Sequence, residues 1–239
     1  MRSFRRTLLL GVLLTSGSLA RAQGAADPSG HWEGTLKVPQ MELTVEIDLA
    51  RDSRGVFAGT FSQPAQGVKG LPLSSVTVEA PAVRFVVKGG TEPATFDGAL
   101  SADGLSISGT VKQGGFTIPM NLSRTGDARI APPPRSAPIA KALEGTWNGT
   151  LDVNGVPMRL VVKMVNQPDG TASGTVVSPD GSGVEIPIGI VQNGSSVTID
   201  VASVGASYAA VLNPAATEMA GTWTQGPASF PLTLRAAKP

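Results

Sequence analysis

The chain has 239 residues, with 19 basic and 18 acidic side chains, one histidine and no cysteine. The absence of cysteine excludes disulfides, thiolate metal sites and thiol nucleophiles. The near-neutral charge excludes the basic surface by which proteins bind nucleic acids or anionic membranes.

Residues 1–22 have the pattern of an export signal. Arg2, Arg5 and Arg6 precede an apolar run, and a small-x-small site predicts cleavage after Ala22. The run is shorter than the roughly 20 residues that a membrane span needs. We therefore expect an exported protein, periplasmic or extracellular, without a membrane span. The paired arginines also suit a twin-arginine signal, although we favour ordinary Sec export. The mature chain has 15 basic and 18 acidic residues, a net charge of −3.

The chain contains an internal repeat. Segment 30–36, Gly-His-Trp-Glu-Gly-Thr-Leu, recurs at an offset of 115 in segment 145–151, Gly-Thr-Trp-Asn-Gly-Thr-Leu, and the offset becomes 112 near the end of each copy. This indicates a duplicated domain. We predict domains at 28–124 and 143–237. The Pro-rich linker 125–142 between them is expected to be extended and to pack no core.

Alternating apolar and polar residues predict β-strands throughout both copies. In 41–49 the apolar residues occupy every second position, as in a strand with one dry and one wet face. Eight such strands per copy, joined by Asp-Gly turns, predict two tandem eight-stranded antiparallel β-barrel-like domains of the all-β class. Glycines recur on the inward phase. We expect them to permit close backbone approach, with an internal cavity as the alternative; they are Gly34, Gly59 and Gly109, matched by Gly149, Gly174 and Gly221.

The motifs resemble a known family. They are Gly-x-Trp-x-Gly-Thr-Leu at 30–36, Gln-Gly-x-Lys-Gly-Leu-Pro-Leu at 66–73, and Gly-Thr-Trp-Thr-Gln-Gly at 221–226. Each copy resembles the non-catalytic β-domain that precedes α/β-hydrolase domains in secreted bacterial enzymes, and more loosely the lipocalin (calycin-like) barrels. The chain has no Gly-x-Ser-x-Gly elbow, so the catalytic residues of such hydrolases have no counterpart here.

The candidate catalytic residues favour a non-enzyme. His31 is the sole histidine and lies beside Trp32 without a nucleophile motif, so we expect a solvated residue rather than a triad member. Glu42, Glu46 and Asp48 share the outward phase of one strand, where a charged row ordinarily keeps a sheet wet rather than forming a glycosidase pair. No spaced carboxylates or cysteines suggest a metal or a cofactor.

The leading functional prediction is binding of a small hydrophobic ligand inside one barrel. An eight-stranded barrel is large enough either to be filled by its side chains or to hold one small molecule. The second copy is the preferred place for a ligand because of its inward methionines and because it has Ala172 where the first has Phe57. The competing interpretation, which we favour, is that the methionines simply fill that space. The alternatives are an interaction module that docks on a separate hydrolase and an unrecognised enzyme. The inward candidates for ligand contact are Trp32, Phe85, Phe96, Trp147, Met158, Met164, Tyr208 and Trp223.

Overall fold

The computed structural model describes residues 26–38, 41–88, 92–181 and 183–237. The predicted signal and its cleavage site lie outside these residues. The described chain forms two antiparallel sheets, with three short 3₁₀ turns as the only helical elements in it, which confirms the all-β class. The described part contains no helix with the length and apolar character needed to cross a membrane.

The first copy forms a curled nine-stranded sheet in the order β4-β3-β2-β1-β9-β8-β7-β6-β5. Its edge strands, β4 and β5, follow each other in the chain. The strands are β1 Gly30–Val38, β2 Met41–Arg51, β3 Phe57–Gln63, β4 Val68–Pro72, β5 Ser75–Glu79, β6 Ala82–Val87, β7 Ala94–Leu100, β8 Ser106–Gln113 and β9 Phe116–Gly126.

The second copy forms a closed barrel in which each strand pairs with the next, and β17 pairs back with β10. The strands are β10 Gly145–Val153, β11 Val156–Asn166, β12 Ala172–Val177, β13 Ile186–Asn193, β14 Ser196–Val201, β15 Ala206–Leu212, β16 Glu218–Gln225 and β17 Ala228–Ala236. The eight-stranded prediction is therefore confirmed for this copy.

The first copy differs from the prediction because one expected strand, 71–78, is broken in two. The Leu73 amide donates to the Gly59 carbonyl on one side, and the Ser74 amide donates to the Val86 carbonyl on the other. Consecutive residues thus bond to opposite neighbours, which ends one ladder and begins the next. The matching residues of the second copy, Ile188 and Gly189, lie within the continuous strand β13. The first barrel is consequently open along this break.

The inward glycines mark close backbone contacts. A Cβ atom on Gly109 would lie 2.3 Å from the Asp97 carbonyl oxygen, and one on Gly221 would lie 2.1 Å from that of Ala209. Real Cβ atoms do not approach a carbonyl so closely, so these positions accept only glycine without a backbone shift. The expectation of close approach is confirmed.

Each copy has its own core, anchored by the repeated tryptophan. Trp32 and Trp147 are almost completely buried. The Trp32 indole Nε1 donates to the Pro28 carbonyl at 2.9 Å, and the Trp147 Nε1 donates to the Leu143 carbonyl at 2.9 Å. Equivalent residues thus make equivalent bonds, which supports the duplication.

The segment between the sheets packs more than expected. Ile139 is 6% exposed and belongs to the core cluster of the second barrel. Ser136 forms a two-way backbone bridge with Ala172 of β12. The prediction that 125–142 packs no core is wrong at Ile139, because an apolar side chain beside an open strand end gains stability by covering it.

Candidate functional site

A cavity of about 430 Å³ occupies one end of the first repeat. The volume is within the range of about 300–1,000 Å³ that is typical of small-molecule sites. Among the described residues its lining consists of fifteen apolar residues and four glutamines, without a charged residue: Leu36, Val38, Leu43, Ile47, Phe61, Gln63, Gln66, Val68, Leu71, Phe85, Val87, Ala94, Phe96, Val111, Gln113, Ile118, Met120, Val204 and Gln225.

The cavity lies at the end of the sheet where β1, β3, β6 and β8 finish and β2, β4, β7 and β9 begin. The inward phase of these strand ends supplies the apolar wall. Phe85 and Phe96 pair across β6 and β7, and their rings stack with centroids 4.6 Å apart. At the other end of the sheet Trp32, Leu49 and Ile107 are fully buried and belong to the core.

Two side chains at this end of the first repeat are smaller than their counterparts in the second. In the second repeat one row of cross-strand partners runs Tyr208, Trp223, Phe230. The same row in the first repeat runs Phe96, Val111, Ile118. Valine and isoleucine thus stand beside the cavity where the closed barrel has tryptophan and phenylalanine.

This arrangement corrects the preference for the second repeat. In that barrel Trp147, Met164, Tyr208 and Trp223 are buried in one continuous core, and Met158 packs against it. The exchange of Phe57 for Ala172 opens no cavity, because Ala172 is completely buried beside the bridge with Ser136. Met158 and Met164 therefore fill the barrel.

Of the sequence-predicted contact residues, the structure places two on the cavity wall. Phe85 and Phe96 line it. Trp32 lies in the same repeat but is a core anchor, and its indole donates a hydrogen bond to the Pro28 carbonyl. The remaining five belong to the second repeat. Sequence reasoning missed the glutamines, although Gln63 continues the inward phase of Gly59 and Phe61.

The second repeat covers part of the cavity mouth. Val204 and Gln225 belong to that repeat and line the cavity of the first. The Ser203 hydroxyl lies 3.5 Å from the Gly70 carbonyl oxygen, and the Gln225 side-chain amide donates to the Val204 carbonyl at 3.2 Å. The cavity is therefore shared by both copies, which no motif in the sequence indicates.

Gln63 is the polar group held deepest in the wall. It is 8% exposed, and no described residue makes a hydrogen bond with its side-chain amide. The other three glutamines are exposed at the mouth. Buried polar side chains in proteins almost always bond to another protein group or to ordered water, so Gln63 marks a position where water or a ligand in the cavity is the partner.

His31 and Asp48 form a buried pair elsewhere, on the outer face of β1 and β2. His31 is 2% exposed, and its Nδ1 lies 2.8 Å from Asp48 Oδ1. The same oxygen accepts the Arg129 amide at 2.7 Å. The expectation of a solvated His31 is wrong, as is that of a wet Asp48, because the segment after β9 covers this face. Among the described residues, no group of three or more acidic or histidine side chains could hold a metal.

Comparison with known proteins gave no match to a family model and no match to a curated protein. One similar solved structure is a Bacteroides fragilis protein provisionally described as an outer membrane protein, at 12% identity and TM-score 0.28, covering 88% of this chain and 97% of that one. Another is a protein of unknown function from the DUF3598 family of Nostoc punctiforme, at 12% identity and TM-score 0.26. This similarity covers 86% of this chain and 94% of that one. Likeness this weak carries no functional argument.

Proposed function

We propose that the chain is an exported, non-enzymatic binding protein that holds one small hydrophobic molecule in the cavity of the first repeat. The observation that carries this proposal is the uncharged, largely apolar lining of the 430 Å³ cavity. Transfer of apolar surface from water into such a site stabilises a complex by about 25 cal/mol per Å². A hydrophobic molecule is thus the ligand that gains most from entering it.

Two further features support the proposal. The pattern of residues 1–22 and the absence of cysteine suit export, and the barrel-like architecture resembles that of lipocalin-type ligand carriers. Histidine and carboxylate side chains are absent from the part of the lining that the structure describes, whereas general acid–base chemistry commonly depends on them. The site is thus better suited to holding a molecule than to converting it.

The test is a titration of the mature chain with N-phenyl-1-naphthylamine, an apolar dye that is uncharged at neutral pH. We expect saturable fluorescence enhancement with one site per chain. Val111→Trp places the side chain of Trp223 at the equivalent position, so it should narrow the cavity and weaken dye binding at least about tenfold. Val211→Trp is the matched control, because Val211 is exposed on β15 and its replacement leaves the cavity unchanged.

Ile118→Phe, which copies Phe230, provides a second way of narrowing the cavity if Val111→Trp fails to fold. Dye affinity that is unchanged in folded Val111→Trp and Ile118→Phe chains would refute the assigned site. Absence of saturable binding to the unaltered chain would refute the function.

A further inference from the structure

We infer that the ligand is an uncharged amphiphile whose neutral, hydrogen-bonding head group is held by Gln63, and this inference rests on the proposed binding function. Gln63 ends β3 and lines the cavity together with fifteen apolar residues. Its carboxamide can both donate and accept hydrogen bonds. It recognises a group such as a primary amide or an alcohol.

The side chain of Gln63 has no hydrogen-bond partner among the described residues. It lines the cavity and is 8% exposed, so water or a ligand in the cavity is its hydrogen-bond partner. Ser62, the preceding residue, has a partner within the chain, because its hydroxyl accepts the Gly70 amide at 2.9 Å. A ligand head group at Gln63 would replace water as the hydrogen-bond partner.

The described lining residues carry no charge, and this disfavours charged ligands. A carboxylate or an ammonium buried without an opposite charge has a large desolvation cost, whereas a neutral polar group needs only hydrogen bonds. Every polar side chain among the described lining residues is a glutamine. The cavity therefore discriminates against fatty-acid anions and alkylammonium ions in favour of neutral molecules of the same length.

The mouth favours head groups that donate hydrogen bonds over carboxylates, which only accept them. The side-chain amide of Gln113 donates to the Glu92 carbonyl at 3.0 Å, and that of Gln225 donates to the Val204 carbonyl. Both bonds use the NH₂ groups and leave the side-chain oxygens as acceptors. A head group that donates a hydrogen bond thus finds acceptors at the mouth as well as at Gln63.

The test uses a matched series of decyl compounds in competition with the neutral dye: 1-decanol, decanamide, decanoate and decylammonium at neutral pH. We expect the alcohol and the amide to displace the dye at concentrations at least about tenfold lower than the two ions do. Displacement by either ion as effective as that by the neutral compounds would overturn the inference while the binding function stands. A dye that never binds would instead refute the proposed function itself.

Substitutions then locate the head group. Gln63→Leu should weaken displacement by decanamide and 1-decanol about tenfold relative to the dye affinity measured in the same variant, and saturable dye binding there also reports that the chain is folded. Gln167→Leu, the same change at a residue of the second repeat that does not line the cavity, is the control. Gln63→Glu should reverse the preference and make decylammonium the strongest competitor. Unchanged affinity of the amide and alcohol in Gln63→Leu would show that water alone satisfies Gln63, and the inference would fail.

Discussion

Val111 and Trp223 occupy the same register position in the two repeats, opposite Phe96 in one and opposite Tyr208 in the other. The larger residue belongs to the closed, filled barrel, and the smaller one lines the cavity. One side chain per repeat thus has a large part in deciding whether the interior is packed or hollow.

Trp223→Val should leave a small cavity in the second repeat. The loss of a buried indole should lower the free energy of unfolding by about 3 kcal/mol. The indole Nε1 has no hydrogen-bond partner among the described residues, so the loss is one of packing. Trp223→Phe, which retains an aromatic ring, should cost clearly less. A free energy of unfolding that is unchanged in Trp223→Val, measured by urea denaturation, would contradict this account.

The paired tryptophan anchors permit a separation of packing from hydrogen bonding. Trp32→Ala should lower the free energy of unfolding by about 3–5 kcal/mol, because it leaves a cavity in the core. Trp32→Phe keeps most of the ring and mainly removes the bond to Pro28, so its cost should be about 1 kcal/mol. Urea denaturation measures both. A loss below about 1 kcal/mol for Trp32→Ala would show that the indole is no core anchor.

Ionisation of Tyr208 should lower the stability of the second barrel at alkaline pH. Burial raises the pKa of its hydroxyl to about 12, and the hydroxyl lies 2.8 Å from the Met219 carbonyl oxygen. Since the pKa is higher in the folded state, this contribution to stability is complete below the unfolded value of about 10. It is lost as the pH rises from about 10 through about 12, by roughly 2–3 kcal/mol.

The chain has one tyrosine, so tyrosinate absorbance reports this group directly. We expect ionisation near pH 12 in the folded chain and near pH 10 in urea. Tyr208→Phe should flatten the alkaline fall in the urea midpoint. Ionisation of the native chain near pH 10 would contradict the prediction.

The His31–Asp48 pair should hold the segment after β9 against the first sheet. Asp48→Ala removes the acceptor of both the His31 ring and the Arg129 amide, so we expect a loss of about 1–3 kcal/mol and faster hydrogen exchange at Arg129. Glu46→Ala, on the same face of β2, should change stability by less than about 0.5 kcal/mol. Equal exchange at Arg129 in both variants would show that Asp48 does not fix this segment.

The sequence was sufficient for the features that repeat. Period-two alternation and the shared Gly-x-Trp motif predicted the all-β class, the duplication and the burial of Trp32 and Trp147. The features that failed depend on contacts between distant residues. His31 is buried by the segment containing Arg129, 98 positions later in the chain, and no local pattern around a histidine encodes such cover.

The cavity was within reach of the sequence and was placed in the wrong repeat. The informative comparison was of side-chain size at the cavity wall, between Val111 and Trp223 and between Ile118 and Phe230, which are related by the offset of 112. The comparison of Phe57 with Ala172 concerned a strand end that Ser136 covers in the second repeat. Volume differences predict a cavity only where the surrounding chain is known not to fill the space, and that knowledge comes from tertiary structure.

The break at Leu73 and Ser74 leaves the first repeat as an open, curled sheet rather than a closed barrel. A closed barrel has a fixed circumference, because widening it would break a whole ladder of hydrogen bonds. At the break, β4 and β5 are both edges of the sheet, joined through the backbone of Leu73 and Ser74 and not by a ladder of hydrogen bonds. The circumference of the hollow repeat is thus fixed there at a single crossing of the chain, whereas that of the filled repeat is fixed by hydrogen-bonded ladders all the way round.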